Sequence, residues 1–188
     1  PLTPRDKKLI KYLIDHKHTS PFEHNSITFL FEVPMFVRSQ HMRHRTWAYN
    51  EISRRYTEVD LKFYVPDKFR TQHKSNRQAS NPDELFDPVL KWRHPEAAFD
   101  SWIPVSKIIK KHHSHSIKLF DDLIEAGVCR EQARGVLPQN LYAKYYGTVN
   151  LGNLLKFVDL RIHEGAQWEI QKVAEACLDI ATEIWPFS

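Results

Sequence analysis

Glycine is scarce in this chain, five of 188 residues, well under the roughly 7% of average usage. That shortage excludes most devices that bind phosphate through closely approaching backbone amides. There is no GxGxxG motif, and Gly147 and Gly152, although spaced as in a phosphate loop, are followed by Asn153 and Leu154 where Lys and Ser or Thr are needed. Cysteine is almost missing: Cys129 and Cys177 lack CxxC or metal-ligand spacing, so no disulfide framework is expected and both read as free thiols. No apolar run reaches the roughly eighteen residues of a membrane span, and Pro1-Leu2-Thr3-Pro4-Arg5 lacks the basic-then-apolar order of a secretion signal. The expected location is the cytoplasm, or the host cytoplasm if the source is viral, with no membrane partner.

What is present is concentrated. The hydrophobic content of 41% and aromatic content of 12% suit a folded chain with a real core. Charge is focused in Arg43-His44-Arg45-Thr46-Trp47-Ala48-Tyr49-Asn50-Glu51-Ile52-Ser53-Arg54-Arg55. Four arginines less Glu51 make a net +3 there, against a formal +4 for the whole chain. With glycine loops excluded, phosphate binding falls to arginine, whose planar and permanently charged guanidinium takes phosphate oxygens in pairs. Asn50, Glu51, Ser53 and Tyr56 add amide, carboxylate, hydroxyl and ring, a set better suited to a nucleotide than to bare polyphosphate.

Periodicity predicts an α+β chain forming a single domain over 1–188, an antiparallel or mixed sheet packed with long helices. Thr3-Pro4-Arg5-Asp6 reads as a helix start, with Leu9, Ile10, Leu13 and Ile14 at helical spacing and an end near Lys17. Ile27, Phe29, Phe31 and Val33 alternate as a half-buried strand. Pro34 can then open a helix through Phe36, Val37, Gln40 and His41, placing Arg43 to Arg45 at its C-terminal end or just past it. Asn50 to Arg55 shows neither period and reads as a loop, followed by a strand at Leu61, Phe63 and Val65. Residues 70–104 read as a long surface excursion with short helices. A helix from Val105 to Ala126 follows, with His112 on its core stripe and His113 and His115 pointing elsewhere, an arrangement that argues against a metal site. A short helix over Arg130 to Leu137, a strand over Leu141 to Val149 and helices over Leu151 to Leu160 and Gly165 to Ile184 complete the chain. Tyr142, Tyr145 and Tyr146 read as packing residues.

Arg43-His44-Arg45 followed by Ser53 resembles the RHRx7S signature of the flavin-dependent thymidylate synthases. Pro21-Phe22-Glu23-His24, Phe63-Tyr64-Val65-Pro66, Asn76-Arg77-Gln78, Val136-Leu137-Pro138-Gln139-Asn140-Leu141-Tyr142, Leu160-Arg161 and Ala166-Gln167-Trp168-Glu169 resemble family segments in family order, so the resemblance spans nearly the whole chain. It implies the thymidylate synthase-complementing protein type of fold. It also implies a homotetramer with active sites between subunits, and conversion of dUMP to dTMP with FAD, NADPH and methylenetetrahydrofolate, without an enzyme cysteine nucleophile.

The resemblance further implies roles. Arg43, His44 and Arg45 match flavin-binding positions, as do Asn50, Glu51 and Asn150, while His18 and Ser20 match a region beside flavin and folate. Gln40, Glu51, Ile52, Ser53, Arg54, Arg55 and Arg134 match nucleotide-binding positions, with Ser53 a donor and not a nucleophile. Arg161 matches the arginine that contacts the uracil, where it would stabilise charge building on the pyrimidine. Ala48 replaces a serine common in relatives, Trp47 is bulkier than usual, and Gly152 and Lys156 stand where relatives often carry arginine and asparagine. Two other readings stay open: a basic module for nucleic acid, which the modest net charge disfavours, and a family-shaped protein that binds dUMP without turnover.

Overall fold

The computed structural model describes residues 2–53, 61–93 and 100–186. In chain order the elements are α1 (Pro4–Asp15), β1 (Ser26–Pro34), α2 (Met35–His41), β2 (Ala48–Glu51), β3 (Phe69–Gln72), β4 (Ser80–Phe86), β5 (Val89–Arg93) and β6 (Asp100–Pro104). After them come α3 (Val105–Glu125), α4 (Arg130–Ala133), β7 (Tyr142–Asn150), α5 (Leu151–Ile162) and α6 (Trp168–Ile184). The chain is α+β, as expected, and forms two compact units. The first comprises Pro1–Phe31, Ser39–Glu51 and Lys144–Ser188, the second Glu32–Arg38 and Ile52–Ala143.

In the first unit α1 starts on a capping box. Thr3 Oγ1 accepts from the Asp6 amide (3.3 Å) and the Asp6 carboxylate accepts from the Thr3 amide (2.9 Å), with Pro4 in the first turn. The helix ends at Asp15, two residues before the expected Lys17, because Lys17 takes a left-handed conformation (φ 56°). The Lys17 amide reaches the Ile14 carbonyl and the His18 amide that of Leu13, closing the turn without glycine. None of the α1 residues is fully buried.

The central sheet has the order β1-β7-β2. The alternation read from the sequence is realised in β1, where Phe29, Phe31 and Val33 are buried and Thr28, Leu30 and Glu32 exposed. The expected loop at Asn50 is instead strand: Ala48–Glu51 pairs antiparallel with β7, Tyr49 opposite Gly147 and Asn50 opposite Tyr146. Partner strand β7 supplies the ladder that a four-residue segment cannot announce by periodicity. Gly147 is needed there, since a Cβ would stand 2.8 Å from Phe31 Cε2 and 3.2 Å from Trp47 Cε3. Phe157 and Leu154 of α5 and Ile170, Ala174 and Cys177 of α6 complete this core.

The second unit differs from expectation in three places. Residues described within 70–104 form two antiparallel hairpins, β3 with β4 and β5 with β6, and no short helices. The strand expected around Phe63 is reduced to one bridge, Phe63 to Leu141. On α3 the buried imidazole is His113 and not His112, because the stripe that turns inward runs through Ile108, His113 and Ser116. His113 stacks on Phe63 (centroids 4.4 Å) and its Nε2 accepts from the Asn140 amide (2.6 Å), which also donates to the Tyr64 carbonyl. Burial holds His113 below the ordinary imidazole value. Among the described residues no group of His, Cys, Asp and Glu could hold a metal ion, and no helix is long and apolar enough to cross a membrane. The α3 terminus is the expected one, with Gly127 at φ 87°.

Candidate functional site

The arginine-histidine-arginine turn hangs between two buried anchors. His41, the last residue of α2, is 0% exposed and Trp47 is 5% exposed. His41 meets Trp47 edge to face (4.4 Å), and Trp47 also packs against Phe29, Phe31 and Phe157. Between the anchors the amides of Arg43, His44 and Trp47 bond back to the carbonyls of Gln40, His41 and His44. The chain therefore turns tightly, leaving Arg43 and Arg45 exposed with His44 half-buried between them.

Helix α5 completes the arrangement. Phe157 and Arg161 lie four residues apart, hence on one face, and both meet His44. Phe157, fully buried, takes the imidazole edge-on (4.8 Å, 89°). The Arg161 Nε donates to His44 Nε2 (3.0 Å). An acceptor at Nε2 requires a neutral ring with its proton on Nδ1. The electrostatics agree: burial first, then the Arg161 charge, hold His44 below the ordinary imidazole value. Burial likewise lowers Arg161.

Beneath this pair His41 Nδ1 bonds the Tyr145 hydroxyl (2.9 Å). Burial, with smaller contributions from His44 and Arg161, pushes His41 down to about 3, so it is uncharged at neutral pH. Its Nε2 and the Trp47 indole nitrogen are buried with no hydrogen-bond partner among the described residues. The Tyr49 hydroxyl donates to the carbonyls of His41 (2.8 Å) and His44 (3.1 Å), adding a second donor to carbonyls that already accept the His44 and Trp47 amides. Burial raises the Tyr49 hydroxyl above its usual value, so it remains a donor.

Of the residues singled out from the sequence, the first unit brings Gln40, Arg43, His44, Arg45, Asn50, Glu51, Asn150 and Arg161 onto α2, its following turn, β2, the β7-α5 junction and the last turn of α5. Gln40 donates to Gln167 at the start of α6. Asn150 is the N-cap of α5, its side-chain oxygen accepting from the Asn153 amide (2.9 Å). His18 and Ser20 are exposed near the short 3-10 turn Ser20–Glu23. Ile52, Ser53 and Arg134 belong to the second unit. Ile52 is exposed, Ser53 half-buried, and Arg134 exposed with its Nε donating to the Glu131 carbonyl (3.3 Å). Arg54 and Arg55, together with Tyr56, lie outside the described residues.

Four contributors went unread in the sequence: His41, Tyr49, Phe157 and Gln167. A signal existed for one of them: Phe157 precedes Arg161 by one helical turn. The bulk of Trp47 also has its explanation here, since the indole is core and not site.

The family described as thymidylate synthase complementing protein matches residues 3–187. A flavin-dependent thymidylate synthase from Thermosipho africanus is 39% identical over 184 residues, covering 98% of this chain and 75% of that one. Its counterpart from Thermus thermophilus is 39% identical over 183 residues, covering 97% and 62%. Among solved structures, the UMP/dUMP methylase PolB from Streptomyces cacaoi, bound with 5-Br UMP, matches with a TM-score of 0.77 at 33% identity, over 96% of this chain and 79% of that one. A match along almost the whole length, with these identities and the arginine-histidine-arginine turn packed on α5, places the chain in the thymidylate synthase complementing protein family, the flavin-dependent thymidylate synthases.

Proposed function

We propose that this protein converts dUMP to dTMP by reductive methylation, as a homotetramer with active sites between subunits. The observation that carries the reading is the half-buried Arg161 guanidinium, held by an uncharged imidazole beside a turn with two exposed arginines. A pyrimidine made nucleophilic at C5 accumulates negative charge, and a preoriented cation in a partly desolvated place stabilises that charge better than water does. FAD, when bound and reduced by NADPH, supplies the hydride, and methylenetetrahydrofolate supplies the one-carbon unit.

The donor set fits an anionic dinucleotide. Arg43 and Arg45 are exposed on either side of His44, and in a glycine-poor chain these guanidiniums would hold the flavin phosphates. Asn50, Glu51 and Asn150 would meet the flavin ring, with His18 and Ser20 on the folate side. Gln40, Glu51, Ile52, Ser53, Arg54, Arg55 and Arg134 would hold dUMP, Ser53 as a phosphate donor. The cysteines suit a route without covalent activation. Cys177 is buried on α6 with its thiol pushed up to about 12, hence protonated. The Cys129 thiol donates to Gln132 (3.6 Å).

The test has two parts. Purified protein given FAD should take up flavin and show its visible spectrum, and with NADPH and methylenetetrahydrofolate it should release tritium from dUMP labelled at C5. Protein that stays colourless, or that binds flavin and releases no tritium, overturns the proposal. Arg161→Ala should lower turnover by about a hundredfold or more.

A further inference from the structure

We propose that His44 is the positioning residue for Arg161: its neutral imidazole accepts the Arg161 Nε hydrogen and aims the guanidinium without neutralising it. The central residue of the arginine-histidine-arginine turn thereby serves the pyrimidine side, while its two neighbours serve the flavin. This inference rests on the reading of Arg161 as the group that faces the uracil.

The geometry leads there in three steps. First, the contact engages Nε, the one guanidinium nitrogen within the side-chain stem, at 3.0 Å. Because the group is planar, fixing the direction of the Nε–H fixes the whole plane, and the four hydrogens on the two terminal nitrogens remain for a substrate.

Second, His44 is itself immobilised. Its ring stands edge-on against Phe157, whose side chain is completely buried, one helical turn before Arg161. Its amide bonds to the His41 carbonyl (2.9 Å), and its own carbonyl is held by Tyr49. A flexible acceptor would orient nothing.

Third, the acceptor is uncharged. Arginine is ordinarily oriented by a carboxylate, which offers two oxygens but cancels the charge. A carboxylate against Arg161 would remove the field that a developing pyrimidine anion needs. Imidazole supplies direction and leaves the positive charge whole. Burial and the neighbouring cation keep the ring unprotonated, so the acceptor persists at neutral pH.

The pair can be tested without turnover. Nitrogen-15 spectra of the imidazoles should show His44 as the Nδ1–H tautomer in wild type and a shift toward the commoner Nε2–H tautomer in Arg161→Ala. An Nε2–H tautomer in wild type would overturn the inference whatever the activity.

Kinetics supply the second arm. His44→Gln keeps an acceptor at similar reach and loses the ring; His44→Phe keeps the ring and loses the acceptor. With both variants shown folded by thermal unfolding and assayed at saturating FAD, kcat for tritium release should fall by roughly thirtyfold in His44→Phe and by less than about fivefold in His44→Gln. His44→Glu should resemble His44→Phe in kcat while retaining dUMP affinity, because it aims the guanidinium and cancels its charge. Equal losses in the Gln and Phe variants, or a loss seen in FAD affinity instead of kcat, would overturn the assignment. Wild-type protein without tritium release would sink the proposed reaction, and the tautomer measurement would still decide the pair.

Discussion

The hydroxyl of Tyr49 lies 2.8 Å from the carbonyl of His41 and donates to it, tying strand β2 to the last turn of α2. The same hydroxyl reaches the His44 carbonyl at 3.1 Å. One phenol therefore holds the start and the middle of the turn that carries the motif. Tyr49→Phe removes the donor and leaves two partly buried carbonyls less well satisfied. The expected loss is about 1–2 kcal/mol of stability, together with weaker FAD affinity, read by chemical denaturation and flavin titration. A variant with unchanged stability would show that water replaces the hydroxyl at no cost.

His41 makes stability depend on pH with a definite sign. Its folded value is pushed to about 3 from an ordinary 6.5, so between those values the unfolded chain binds the proton and the folded chain does not. Stability from this group is complete above about pH 6.5 and is lost as pH falls toward 3. The full effect is on the order of 5 kcal/mol. Denaturation midpoints measured down the acid limb should fall more steeply in wild type than in His41→Gln, which hydrogen-bonds but does not titrate in that range. Parallel curves would remove His41 as the cause.

Gly147→Ala should destabilise the first unit by about 1–3 kcal/mol. The reason is steric: the new methyl would meet Phe31 and Trp47, two rings already packed on one another at 5.9 Å. Because Trp47 anchors the motif turn, FAD affinity should fall along with the unfolding midpoint. A change in neither would mean that the two rings yield freely.

Asn150 carries two roles that substitution separates. Ser at this position keeps the cap on α5, whereas Ala removes it and costs about 1 kcal/mol. If the side-chain amide also meets the flavin, Asn150→Ser should weaken FAD binding with little change in the unfolding midpoint, and Asn150→Ala should lower both. Full FAD affinity in Asn150→Ser would confine the residue to capping.

Local rules carried much of the fold. Thr3-Pro4-Arg5-Asp6 became a capping box, the alternation from Ile27 to Val33 became β1, and the helices from Val105 and Leu151 begin where the pattern put them. Failures cluster where a partner decides. β2 is too short to show a period and exists through its ladder with β7, and the hairpins from Phe69 to Pro104 pair strands whose own pattern is irregular. On α3 the helix was legible, but which of three nearby histidines turns inward depended on Phe63 and Asn140, distant in sequence.

Sequence by itself determined the chemistry available: a cluster of guanidiniums in place of glycine loops, two unpaired thiols and a family signature with Arg161 far downstream. These are properties of residue types and their order, and they survive any arrangement of the chain. Tertiary structure alone decided what His44 does. Its neighbours in sequence are two exposed arginines, but its neighbours in space are Phe157 and Arg161. Burial and an adjacent cation turn an ordinary imidazole into a neutral acceptor. A protonation state belongs to an environment, and that environment forms only when α5 packs against the turn.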